Sequence, residues 1–181
     1  MIEKMHYSGF FRPILTSYLG LFTRIIGLFI CLIVLPSVLQ AADKSLFTTS
    51  QLRIITAADS KSGQVKKPIL ISIELAASGK ARVQGLQGRR FLAPNSGMLF
   101  DFIKPQIISM WMKNTHISLD MIFIGDDGRI LHIAENTEPF SLKSVLSRVP
   151  ARAVLELKAG SADRMGIEPG HHIDHPIFKK K

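Results

Sequence analysis

The chain is short of cysteine, tryptophan, acidic residues and long apolar runs, and each shortage closes off a class of function. Its one cysteine, Cys31, lies inside an N-terminal apolar stretch. Removal of that stretch would leave no thiol for a disulfide, a thiolate metal site or a cysteine nucleophile. Acidic residues number 14 against 23 Lys and Arg, giving a net charge of +9. The longest apolar run, IIGLFICLIVL at residues 25–35, has eleven residues, too few for an ordinary membrane-spanning helix of about 20. No nucleophile-elbow motif is present, which argues against Ser/His/Asp catalysis. No internal repeat or low-complexity block occurs.

What is present at the N-terminus is ordered like a secretory signal. Lys4, Arg12 and Arg24 precede the apolar run; Pro36 and Ser37 follow it, then Leu39, Gln40, Ala41 and Ala42. A positive region, a short apolar region and a small-residue end predict a signal peptide over residues 1–41. The alternative is an uncleaved N-terminal anchor. Ile30 before Cys31 is too bulky for a lipoprotein cleavage site. The expected location is therefore exported, periplasmic or secreted, with any membrane contact made through the N-terminal segment. There a basic surface meets anionic envelope polymers or lipid head groups rather than nucleic acid.

Residues 42–66 form a leader and a first strand, and residues 67–178 a single β domain; residues 179–181 are a basic tail. Gln51 to Thr56 and Pro68 to Ala76 read as the strands of a hairpin, with Ile69, Ile71, Ile73 and Leu75 on one face. Ser78 is placed to cap a short helix and Gly85 to end it. Further strands are expected at Met98–Phe102, broken by Lys104 and Pro105, at Ile107–Met112, at Ser118–Ile124 and at Arg129–Glu135. Gly125 to Gly128 is a hairpin-type turn. A long polar connection, residues 136–150, leads to a strand at Ala151–Lys158. Ser161 to Met165 makes a second short helix, and a last strand runs from His171 to Phe178. About eight strands and two short helices predict a mainly β, compact antiparallel sandwich or barrel-like domain.

The richest stretch is Gly97 to Gly128, which holds the only Trp in the run Trp111-Met112-Lys113-Asn114-Thr115. With Arg82-x-x-Gly85-Leu86-x-Gly88-Arg89, Leu119-Asp120, Glu135-Asn136 and Val154-Leu155-Glu156-Leu157, it resembles the prokaryotic family called domain of unknown function 192. The resemblance runs from about residue 69 to 177. It implies a small, often exported, mainly β protein, and it brings no activity or cofactor. The chain departs from the family pattern at Gln87, Ser118 and His171.

Residue chemistry supplies the candidates. On a shared face, Trp111 and Lys113 would offer an indole plate beside an ammonium, suited to a sugar ring or an anion; Trp111 in the core, with Lys113 ion-paired, is the structural alternative. Asp120 and Glu156 are the carboxylates most embedded in apolar strands. They could be an acid/base pair of a hydrolase acting on an envelope polymer, or they could pair with Arg82, Arg89 or Lys113 to fix loops. Arg82 and Arg89 suit carboxylate or phosphate but match no phosphate-loop spacing. His171, His172, Asp174 and His175 would split between two strand faces, and His116 and His132 lack nearby companions. No metal and no cofactor is expected. The favoured reading is a non-catalytic binding or accessory domain for an anionic or carbohydrate-type ligand. Its site would comprise Trp111, Lys113, Asn114 and Asp120, with Arg82, Arg89 and Glu156. The alternatives are the hydrolase and a structural or partner-binding protein.

Overall fold

The computed structural model describes residues 46–56 and 67–179. The expected signal segment, Cys31 and the turn at Asp59–Gly63 lie outside the described residues.

Apolar alternation in the strands is resolved by curling one sheet on itself. Seven strands run in the order β6-β5-β8-β3-β2-β1-β9. They are β1 (Thr48–Ile55), β2 (Ile69–Ala76), β3 (Ser96–Gln106), β5 (Leu119–Ile124), β6 (Ile130–Ala134), β8 (Ala151–Lys158) and β9 (His172–Asp174). A second sheet pairs β4 (Ser109–Met110) with β7 (Val145–Leu146). The helices are α1 (Gly79–Gln84) and α2 (Ser161–Met165). Backbone bonds from Ile130 N to His171 O and from Ile173 N to Gly128 O, each 2.8 Å, bring the two sheet ends together. The result is a nearly closed barrel. Mainly β architecture, two short helices and a barrel-like sheet match the expectation.

The sheet is not wholly antiparallel. β2 and β3 run parallel, with Ser72 opposite Ser96 and Ala76 opposite Phe100. Helix α1 and the loop after it make a crossover long enough to return the chain in the same direction, which a tight hairpin cannot do.

Two apolar layers flank the sheet. Leu52, Ile54, Ile71, Ile73, Leu99, Ile122, Leu155 and Leu157 fill the barrel. On the outside, Met98, Phe100, Leu119, Met121, Phe123 and Val154 are covered by Ala81, Leu86, Ile108 and Met112. Both faces of β5 are therefore occupied, and all six of its residues are buried. Met98 and Phe100 face this outer layer, and Leu99 takes the interior position.

Several boundaries differ from the sequence reading: β1 begins at Thr48, ahead of the expected Gln51, and β7 falls within the expected connection at residues 136–150. β3 passes through Lys104 and Pro105 instead of breaking there. Its pairing with β8 jumps from Asp101 opposite Ala153 to Gln106 opposite Ala151. The bulge carries Ile103 at φ 71°, held by a 2.7 Å bond from its N–H to Asp101 Oδ1, and a bulge tolerates proline. The expected strand Ile107–Met112 shrinks to two residues, Ser109 and Met110, which pair with Leu146 and Val145 of β7; the chain then turns, with Thr115 N bonded to Met112 O at 3.1 Å. The last strand stops at Asp174; a 3-10 turn, Pro176–Phe178, follows.

Candidate binding pocket

The outer layer does not close completely. It leaves a cavity of about 330 Å³ between α1, β3, β4 and the Trp111–Thr115 turn, with Glu156 in its wall. Ser78 Oγ accepts from Ala81 N at 3.1 Å and starts α1. Gly85 ends it at φ 46°, where an added Cβ would stand 3.2 Å from the Phe100 ring. That close approach sets the helix end on Phe100. Beyond it, Gly88 N donates to Asn114 O at 2.8 Å, and Asn114 Nδ2 donates to Gln87 Oε1 at 3.2 Å. These bonds tie the segment after the helix to the turn that carries Trp111.

The lining changes character with depth. At the mouth are exposed Val83, Trp111 and Lys113; deeper are buried Leu86, Phe100, Thr115 and Glu156. Lys113 Nζ sits 5.4 Å from the Trp111 ring centroid, a cation–π arrangement. Arg82 lies 5.2 Å over the Phe102 ring. Its Nη1 donates to Ala77 O and Asp101 O, both at 2.8 Å. Lys113 is thus placed by an aromatic ring, and Arg82 by a ring and two backbone carbonyls, and neither by a carboxylate.

Glu156 is the unusual member. It projects from the outer face of β8, between Met98 on β3 and Met121 on β5. The residue is 4% exposed. No donor among the described residues reaches its carboxyl, and burial pushes its pKa up to about 8. At neutral pH it is a protonated acid at the inner end of an apolar cavity.

The remaining candidates fall elsewhere. Asp120 is fully buried on the barrel side of β5. Its Oδ1 accepts from Asn136 N at 3.0 Å and its Oδ2 from Ala162 N at 2.9 Å. It fixes the start of α2 and the loop after β6. Arg89 forms a two-pronged pair with Glu74, with both contacts at 2.5 Å, and lies outside the cavity. Asn114 braces the pocket through Gln87 without lining it. The expected ion pairs joining Arg82, Arg89 or Lys113 to Asp120 or Glu156 are absent among the described residues. Asp120 has two backbone N–H donors instead, and Arg89 has Glu74. Nor do the two carboxylates converge as an acid/base pair. Asp120 stands opposite Leu157 and Met121 opposite Glu156, so adjacent-residue alternation sends the two carboxyls through opposite faces. Among the described residues no three His, Cys, Asp or Glu side chains gather as a metal site requires.

Sequence reading missed Phe102, Met110 and Thr115 as lining residues. Phe100 and Phe102 share a face of β3 by strand alternation, and this face lies outside the barrel.

Residues 60–175 match the family DUF192, described as an uncharacterized ACR. The chain belongs to this family. Two solved structures share the DUF192 fold of this chain. One, from Sinorhizobium meliloti 1021, is provisionally named a transcription regulator; it is 41% identical, with a TM-score of 0.66, over 71% of this chain and 94% of its own. The other, a protein of unknown function from Novosphingobium aromaticivorans DSM 12444, is 30% identical, with a TM-score of 0.65, over 74% and 90%. No curated protein matches the chain.

Proposed function

We propose that this DUF192 protein is an exported, non-catalytic binding domain of the cell envelope whose pocket takes a small anionic or carbohydrate-type ligand. One observation carries the reading. An apolar cavity of about 330 Å³ has two cations, Arg82 and Lys113, in its lining and, at its inner end, the carboxyl of Glu156, which has no partner among the described residues. A concave apolar site with a few convergent polar groups is the usual form of a small-molecule site. The N-terminal order of charge, apolar run and small residues supports export.

The hydrolase reading needs a second carboxylate in the same cleft. Asp120 is on the other side of the sheet, so that reading loses its pair. The regulator name belongs to the Sinorhizobium relative. The described helices here have six and five residues, short of the recognition helix that a major-groove reader uses.

Trp111 makes the test direct. It is the only Trp in the chain and stands at the pocket mouth. Titration of the purified protein with anionic and carbohydrate envelope fragments should shift or quench its emission at saturable concentrations. A panel that leaves the emission unchanged, while the protein remains folded, overturns the proposal.

A further inference from the structure

We infer that the pocket is built for a small zwitterion, with a ligand ammonium held by Glu156 and a ligand carboxylate or phosphate held by Arg82 and Lys113. This rests on reading the cavity as a ligand site, and it adds the charge pattern of the ligand.

Among the described residues, three charged side chains line the cavity: Arg82, Lys113 and Glu156. Two long cations stand near a buried acid, yet neither pairs with it. Arg82 is turned onto two backbone carbonyls and the Phe102 ring. Lys113 is turned onto Trp111. The strand neighbours on either side of Glu156 are Met98 and Met121, which neither titrate nor donate. Gln87 and Thr115, also in the lining, are neutral. A buried polar group ordinarily finds a partner within the fold. Here the position of the missing partner opens into the cavity.

A ligand ammonium fits that position better than a hydroxyl. It would supply the counter-charge that the fold withholds, and the aromatic lining of Phe100, Phe102 and Trp111 favours a cation in transit. A ligand carrying only an anion would satisfy the mouth and leave the inner acid unpaired. With a zwitterion both ends are neutralised. The neutral carboxyl of Glu156 loses its proton to solvent as the ammonium arrives, forming a carboxylate–ammonium pair. Because burial holds the free acid near a pKa of about 8, binding at pH 7 releases about one proton per site.

Two matched sets of probes test this on the purified full chain by isothermal titration calorimetry. One is glucosamine 6-phosphate, glucose 6-phosphate and glucosamine; the other is phenylalanine, 3-phenylpropionate and phenethylamine. Both sets vary the same two charges, and they separate an amino-sugar source from an amino-acid source. The expected result is that the zwitterion of one set binds at least about tenfold tighter than its anion-only partner. Titration in buffers of different ionisation enthalpy should then show release of about one proton at pH 7, fading above pH 9. Glu156→Gln should abolish both the tenfold preference and the proton release, while leaving affinity for the anion-only probe in place. If anion-only probes bind as tightly as the zwitterions, or if Glu156→Gln keeps the preference, the inference falls and the pocket reading survives. If no zwitterion binds, the inference also falls. The pocket reading then depends on whether other fragments still change Trp111 emission.

Discussion

Asp120 and Glu156 lie on adjacent strands, displaced by one step of register, and leave the sheet through opposite faces. The first enters the barrel and is met there by two backbone N–H groups. The second enters the outer layer and is met by no donor among the described residues. Two acids embedded in similar apolar sequence, Leu119-Asp120-Met121 and Leu155-Glu156-Leu157, thus have separate fates. One is a structural tie and the other lines a cavity.

Replacing Asp120 tests the first fate. Asp120→Ala strands the N–H groups of Asn136 and Ala162 in a buried setting, and hydrogen bonds to a charged acceptor contribute about 1.5–3 kcal/mol each. We expect a loss of about 3 kcal/mol or more by urea unfolding. Asp120→Asn retains one acceptor and should lose less. Neither change should alter pocket affinity in protein that remains folded. A selective loss of binding without loss of stability would contradict the structural role.

Glu156 predicts a pH dependence of stability. Its acid is raised in the folded state from 4.5 to about 8, so between those values the native protein holds a proton that the unfolded chain has released. Stability should therefore fall as pH rises through that window and level off above about 8. By linkage the full loss is on the order of 3–5 kcal/mol. Buried His175 acts in the opposite direction. Its pKa is lowered by desolvation, so it removes stability as pH falls through the range below its ordinary 6.5. The difference between wild type and Glu156→Gln isolates the glutamate. In urea unfolding at pH 5, 6, 7, 8 and 9, the variant should lack the downward slope. Parallel profiles would show that Glu156 is ionised in the native state.

Much of the fold was legible because strand alternation and turn residues speak locally. β8 and α2 have the expected ends at Ala151, Lys158, Ser161 and Met165. Ser78 caps its helix as its residue type implies. The misread regions were decided by distant contacts. Lys104-Pro105 looks like a strand end, but pairing of Gln106 with Ala151 restores the ladder beyond a bulge. Trp111 and Lys113 come together as expected, though through a turn and not through strand alternation. The parallel β2–β3 pair and the two-sided burial of β5 depend on which strands become neighbours, which local pattern does not encode. The site followed the same division. Trp111, Lys113, Arg82 and Glu156 converge, while Asp120 and Arg89 are drawn away by Ala162, Asn136 and Glu74.

Gly97 on β3 stands opposite Leu157 on β8, next to the residue that carries the buried acid. A Cβ there would stand 2.7 Å from Leu157 Cδ2 and closer still to the Glu156 carbonyl oxygen. The obstruction on one side is backbone, which cannot rotate away. Gly97→Ala should therefore cost about 2 kcal/mol or more and displace the strand that carries Glu156. Weaker ligand binding should accompany the lower unfolding midpoint. A variant with wild-type stability would mean that β8 yields without cost.

Trp111 and Phe100 line the same cavity but differ in what holds them. Trp111 is 52% exposed and Phe100 is 2% exposed. Phe100 lies under Gly85 and belongs to the outer apolar layer, so Phe100→Ala should cost about 3–5 kcal/mol in stability. Trp111 covers the mouth and holds Lys113 by cation–π contact, with much of its ring facing solvent. Trp111→Ala should therefore change stability by no more than about 1 kcal/mol. Its loss should appear in binding, as a fall of about tenfold or more in affinity for a fragment that occupies the pocket. Calorimetry must supply that measurement, because the variant has no Trp to report. Trp111→Phe restores an aromatic plate and should recover part of the affinity. If Trp111→Ala instead unfolds the protein, the residue is core and the pocket mouth has been misplaced.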